Sequence, residues 1–175
     1  MPDIILERQF DDAMSPEAFI KMGVEHASCL PLYRVEWHES FLAEDGTRLL
    51  CRFGSPDIES VRSIADRQGE SAGQNAWAST LHDTGREGTP NVVVERSFSE
   101  PTSVEALQAI EDAGAWCLEL HKVTFLRTFF SEDQQRMICL YRAPDAESVH
   151  LAQAQAGMPV ERVWPCRAFD MADFA

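Results

Sequence analysis

The chain has 175 residues and a formal charge of −14, with 15 Lys and Arg against 29 Asp and Glu. That balance excludes nucleic acid and anionic membrane as electrostatic partners, since both are bound through an excess of Lys and Arg, and Lys21 and Lys122 are the only lysines. Hydrophobic residues at 45% and charged residues at 25% exclude a disordered or fibrous chain, and five cysteines, an odd number, argue against a secreted disulfide framework.

In chain order, Met1 to Arg8 lacks the basic region and apolar stretch of a signal peptide. No apolar run reaches the roughly 18 residues of a membrane helix. The expectation is a soluble, cytoplasmic protein with reduced thiols. Ile4-Ile5-Leu6 reads as a buried strand. Ser15-Pro16 starts a helix, with Ser as N-cap and Pro in the first helical position. Val35, Trp37 and Phe41 mostly follow the period of two of a half-buried strand, which would put Glu36, His38 and Ser40 on its other face. Asp45-Gly46 is a hairpin turn into Arg48 to Phe53. Ser55-Pro56-Asp57 opens a second helix that Gly69 closes, and a last strand passes through Trp77. Gly, Pro and polar residues over 83–90 read as a linker.

The same order then recurs. Shifted by 88 positions, Ile4 to Gly69 falls on Val92 to Gly157 without a gap. About 21 of roughly 66 aligned positions are identical, and self-similarity of that kind outranks other sequence cues. Glu7-Arg8 meets Glu95-Arg96, Cys29 meets Cys117, Cys51 meets Cys139, and Pro56-Asp57 meets Pro144-Asp145. The reading is two repeats, 1–82 and 91–175, joined by the linker. Strand, helix, strand, strand, helix, strand is the ferredoxin-like order. The expected class is therefore α+β: two tandem ferredoxin-like βαββαβ units, their antiparallel sheets packed face to face as an α/β-barrel-like pseudo-dimer with the helices outside.

Several stretches resemble a known family. Met137 to Val149, with its Cys-x-x-x-Ala-Pro-Asp-x-Glu pattern, and Ala156-Gly157-Met158-Pro159 are similar to a bacterial family of unknown function with a ferredoxin-like fold, domain-of-unknown-function family 4242. Val94-Glu95-Arg96 and Trp37-His38-Glu39-Ser40-Phe41 match its pattern as well. Members are often labelled nickel-binding. The resemblance implies a tandem duplication of that domain and nickel or another divalent transition metal as ligand. It also implies a histidine within the second helix. Here those stretches are Arg62 to Asp66 and His150 to Ala154, and His150 sits nearer the helix start, so that ligand does not carry over.

The residues themselves offer a short set of candidates. Cys51 and Cys139, at matching places in the third strand of each repeat, are soft donors suited to a metal, or small apolar core residues. Glu7 and Glu95 are ligand-binding candidates or partners of Arg8, Arg48, Arg96 or Arg136, since an unpaired buried carboxylate is costly. His38 and Tyr141 complete the ligand-binding set. His26 and Cys29 share a helix face, a pairing the second repeat does not keep. Phosphate-loop, dinucleotide, nucleophile-elbow and zincin motifs are absent, and no catalytic residue stands out. The favoured function is non-enzymatic binding of a small ligand or metal ion between the repeats. The alternatives are a small cofactor-free oxygenase or isomerase, and an oligomeric assembly module, with a homodimer among the assembly states left open.

Overall fold

The computed structural model describes residues 1–67 and 73–174, so the cap expected at Gly69 lies outside the described residues. The chain divides into two compact units, Met1–Ser79 with Arg167–Ala175, and Thr80–Cys166. The first holds β1 (Asp3–Gln9), α1 (Pro16–His26), a 3-10 turn over Ala27–Tyr33, β2 (Glu36–Ala43), β3 (Arg48–Gly54), α2 (Ile58–Arg67) and the start of β4 (Gly73–Asp83). In the second lie β5 (Val92–Ser97), α3 (Val104–Ala113), α4 (Ala115–Leu120), β6 (Thr124–Ser131), β7 (Arg136–Arg142), α5 (Ala146–Ala156) and the start of β8 (Arg162–Asp170). A 3-10 turn over Met171–Phe174 ends the first unit.

Caps and turns form where short-range chemistry places them. Ser15 accepts from Ala18 N at 3.0 Å and Ser103 from Ala106 N at 3.1 Å. Asp145 accepts from Ser148 N at 2.7 Å, and Gly157 closes α5 at φ 73°. The hairpin turn after β2 needs a left-handed residue, supplied by Gly46 (φ 73°). A β-carbon there would also come within 2.5 Å of the Met14 carbonyl oxygen.

The arrangement of the strands corrects the sequence reading. Within the first unit β1 pairs antiparallel with β3 and β4, and β2 with β3; within the second β5 pairs with β7 and β8, and β6 with β7. The full hydrogen-bonded order, β1-β3-β2-β8-β5-β7-β6-β4, is a closed barrel. The protein is thus one closed eight-stranded antiparallel barrel with helices, and not two tandem ferredoxin-like units with sheets packed face to face. The last strand of each set makes the difference. β4 pairs with β1 from Gly73 to Ser79 and continues to Asp83, and β8 pairs with β5 from Arg162 to Pro165 and continues to Asp170.

A second correction concerns β2 and β6. The register of β2 on β3 shifts between Trp37 and Glu39, and that of β6 on β7 between Phe125 and Arg127. Each bulge adds a residue, so alternation reverses beyond it. Trp37 therefore shares a face with Ser40, to which its Nε1 donates at 2.8 Å, rather than with Phe41. Likewise Phe125 and Thr128 lie on one face of β6, opposite Tyr141 and Cys139 in register.

In each unit the helices cover one sheet face with an apolar core. Ile4, Leu6, Phe19, Leu42, Leu49, Cys51, Phe53, Val61 and Ile64 form it in the first; Val92, Val94, Leu107, Cys117, Phe130, Cys139, Tyr141 and Val149 form it in the second. Contact is tight where α5 meets the junction of α3 and α4. A β-carbon on Gly114 would lie 2.5 Å from Ala156 Cβ. On the other sheet face Glu95 ties β5 to its neighbours: Trp164 Nε1 donates to it at 2.7 Å, Arg136 at 2.6 Å and Arg162 at 3.1 Å. Burial works against the Glu95 charge, but the bonds from Trp164, Arg136 and Arg162 outweigh it and hold its pKa below the ordinary value. In the first unit Trp77 Nε1 makes the same bond to Glu7 at 2.8 Å.

Gly114→Ala should lower stability by about 1–3 kcal/mol, the usual cost of overpacking, read as a lower urea midpoint at unchanged slope. Glu95→Gln should cost about 2 kcal/mol at pH 7, the value of hydrogen bonds to a charged group. Because the folded pKa is depressed, that stabilisation is complete above the ordinary glutamate pKa and is lost as pH falls through the folded value. Urea melts should therefore show wild type and variant converging below about pH 4.

Candidate functional site

Neighbouring residues on a strand point to opposite faces. On β5 this separates Glu95 from Arg96: the carboxylate faces Trp164, and the guanidinium enters the helix-covered core beside Val92 and Val94. Arg96 is 0% exposed, the largest fully buried side chain among the described residues. Its Nη1 donates to the Pro159 carbonyl at 2.7 Å, and its Nη2 to Tyr141 Oη at 3.0 Å and to Gln153 Oε1 at 2.7 Å. Its Nε–H is buried and has no hydrogen-bond partner among the described residues. Burial works against the charge, and Cys139 and Tyr141 outweigh burial, so the pKa sits above that of an ordinary arginine. Burial in turn pushes the Tyr141 phenol well above its ordinary value, against the pull of Arg96. The cation thus bonds a phenol, an amide, a carbonyl and the Cys139 side chain, and none of these is a carboxylate.

A cavity of about 40 Å³ opens over this group, inside the second unit. One wall is a face of α3: Val104, Leu107, Gln108 and Glu111 recur at helical spacing. The opposite wall comes from strands: Arg96 on β5, Phe125 and Thr128 on β6, Met137 and Cys139 on β7, with Met158 and His82 at the margins. The β6 bulge brings Phe125 and Thr128 onto this wall together. Thr128 Oγ1 donates to the Ile138 carbonyl at 2.7 Å and lies 3.2 Å from Cys139 Sγ. With its one proton engaged, the hydroxyl accepts from the thiol. Glu111 supplies the carboxyl. Burial raises its pKa above the ordinary glutamate value, and Arg96 offsets part of the rise.

The first unit has the same strand residues but a different interior. Arg8, Ser40 and Cys51 stand 88 positions before Arg96, Thr128 and Cys139. At the position matching Glu111 stands Gly23, and Trp37 matches Phe125. The indole packs 3.6 Å from where a Gly23 β-carbon would be, edge-on to Phe19 and 5.5 Å from Phe53. Trp37 thus takes the space that Phe125 and Glu111 leave open. Burial pushes the Cys51 thiol up to about 11, against the hydrogen bond from Ser40 and the charge of Arg8, so it is a neutral thiol at pH 7.

The residues singled out from sequence are thereby dispersed. Cys139 and Tyr141 lie beside Arg96. Glu95 sits on the opposite sheet face with its oxygens taken by Arg136, Arg162 and Trp164. Glu7 accepts from Trp77, Cys51 belongs to the first core, and His38 Nε2 lies against Gly54 at the β2 bulge. Sequence reasoning missed Arg96 and Arg8 as anything but partners of Glu95 and Glu7. It also missed Glu111, Thr128 and Gln153. The signal was present: a charge kept between repeats at a position whose strand phase, shared with Val92 and Val94, faces the core.

Residues 93–166 match the family described as Nickel responsive protein SCO4226-like. The crystal structure of SCO4226 from Streptomyces coelicolor A3(2) is 16% identical and covers 42% of this chain and 90% of its own, with a TM-score of 0.38. A protein provisionally named as a chlorite dismutase, TA0507, is 11% identical over 99% of this chain and 98% of its own, with a TM-score of 0.55. FN1347 from Fusobacterium nucleatum subsp. nucleatum ATCC 25586, provisionally named as a monooxygenase, is 9% identical over 95% of this chain and 92% of its own, at 0.50. No curated protein matches the chain. Among the described residues no helix is long and apolar enough to cross a membrane.

The donors do not fit a nickel site. Among the described residues no three His, Cys, Asp or Glu side chains come together as a metal-holding group. The cavity also presents a buried guanidinium, which repels a divalent cation, and Cys51 is held as a neutral thiol. What the likenesses show is the eight-stranded fold, together with a nickel-responsive family pattern confined to residues 93–166.

Proposed function

We propose that the chain is a non-catalytic binding protein whose small ligand sits in the cavity between α3 and strands β5–β7. The observation that carries this reading is Arg96, a fully buried cation lining that cavity with its Nε–H unpartnered among the described residues. A buried donor without an acceptor costs about 1–3 kcal/mol, and native structures hold few of them. An anion in the cavity answers the charge of the guanidinium that lines it. In this reading the two units are copies of one ancestral unit; the second keeps its cavity, and Trp37 has filled the first.

The match over 93–166 supports a second reading, a nickel-linked role. Nickel titration of protein without a polyhistidine tag decides it: binding tighter than millimolar favours nickel, and none removes it. The raised pKa of Glu111 beside a cation favours the enzymatic alternative. Turnover of a cavity ligand that Glu111→Gln abolishes would replace the binding reading.

Filling the cavity is the direct test. Val104 projects from the first turn of α3 into it, so Val104→Trp should leave the chain folded, with its melting temperature shifted by no more than a few degrees, and abolish binding of every small molecule that stabilises wild type in a thermal-shift panel. Ligands that stabilise Val104→Trp as strongly as wild type would place the site elsewhere.

A further inference from the structure

Resting on that reading, we propose that the ligand is a small monocarboxylate of acetate size, its carboxylate held by the Arg96 guanidinium and its methyl group by the apolar wall, with Glu111 making the affinity depend on pH.

Charge comes first. Arg96 donates to the Pro159 carbonyl, the Tyr141 phenol and the Gln153 amide and also bonds the Cys139 side chain, and no carboxylate is among these partners. A guanidinium has five N–H groups to satisfy, and a buried cation with no carboxylate bonded to it points the ligand class toward an anion. Shape and polarity narrow the class. About 40 Å³ holds roughly three waters, or a single anion about the size of acetate. Val104, Leu107, Phe125, Met137 and Met158 give most of its surface an apolar character. An inorganic oxyanion would surrender hydration on every oxygen against those walls without compensation. A carboxylate of that size carries its charge at one end, where Arg96 stands, and a methyl group at the other.

Glu111 is the carboxyl of the cavity and sets the linkage. Around it stand Arg96 on β5, Cys139 and Tyr141 on β7, His82 at the end of β4, Asp112 next to it on α3, and Arg86. Ionised, it repels an entering carboxylate and competes with it for Arg96. Protonated, it has an O–H to donate to the ligand. Burial raises its pKa, and an anion bound beside it raises it further, so binding takes up a proton. Affinity is therefore greatest below the Glu111 pKa and falls as pH rises through it.

Calorimetry on the full chain, with sodium acetate, acetamide and sodium phosphate between pH 5.5 and pH 8, tests the proposal. The expected result is binding of acetate alone, weakening by up to about tenfold per pH unit as Glu111 ionises, the slope of one linked proton. Glu111→Gln should bind acetate with no pH dependence, and more tightly than wild type at pH 8. Acetamide binding as tightly as acetate would overturn the carboxylate and leave the cavity reading standing. Phosphate binding as tightly would assign the cavity to an inorganic oxyanion instead. Glu111→Gln keeping the wild-type pH profile would remove the role of Glu111. Failure of all three compounds to bind would overturn the carboxylate class; if Val104→Trp also loses no ligand, the cavity reading falls with it.

Discussion

A positive charge placed inside a protein has to be answered, and much of the second unit is arranged around answering Arg96. Charged side chains are almost never fully buried unless paired, because removing an ion from water costs several kcal/mol even after the surroundings relax. Here the answer comes from neutral oxygens on separate pieces of chain: Tyr141 on β7, Gln153 on α5 and the Pro159 carbonyl beyond it. Each of those bonds ties strand β5 to a different element, so the guanidinium fixes how α5 and its following loop sit on the sheet. These acceptors and the Cys139 side chain satisfy donors, and Glu111 is the carboxyl that feels the charge. The charge that remains is what gives the adjoining cavity its chemistry.

The two units show how few substitutions separate a filled core from an open one. Both bury an arginine, a hydroxyl and a cysteine at matching strand positions: Arg8, Ser40 and Cys51, and Arg96, Thr128 and Cys139. In the first, a tryptophan with a glycine opposite gives a continuous aromatic cluster of Phe19, Trp37 and Phe53. In the second, a phenylalanine and a glutamate stand at those places, Phe125 packs on Tyr141 with ring centres 5.4 Å apart, and space remains over Arg96. Tyr141 in place of Phe53 and Gln153 in place of Ala65 then supply the polar groups that the second arginine uses.

Much of the local structure was legible in the chain because it depends on short-range chemistry. Ser15-Pro16, Asp45-Gly46 and Asp145 act on residues within four positions of themselves, and each forms the cap or turn that its chemistry requires. The barrel was not legible. Strand order depends on pairings between residues far apart in the chain, which no local pattern marks. The bulges were hidden for a related reason: an extra residue in β2 or β6 reverses the faces beyond it, so counting in twos put Trp37 with Phe41. The site itself suffered from the opposite error. Adjacent Glu-Arg pairs suggested ion pairs, whereas strand alternation forbids two neighbours from sharing a face. Applied to Glu95-Arg96, that rule sends one charge to Trp164 and the other into the core. Glu111 was beyond reach, because its importance lies in what Gly23 is not.

The proposed ligand site depends on the buried Arg96 guanidinium, and nitrogen-15 NMR of the arginine side chains observes that group directly. A buried guanidinium lining the site should give an Nε–H signal that exchanges with water far more slowly than those of surface arginines, and that shifts when acetate is added and returns when it is removed. An Arg96 signal that exchanges as fast as the surface arginines, or stays fixed while acetate saturates its binding, would contradict the claim that this buried cation forms the ligand site.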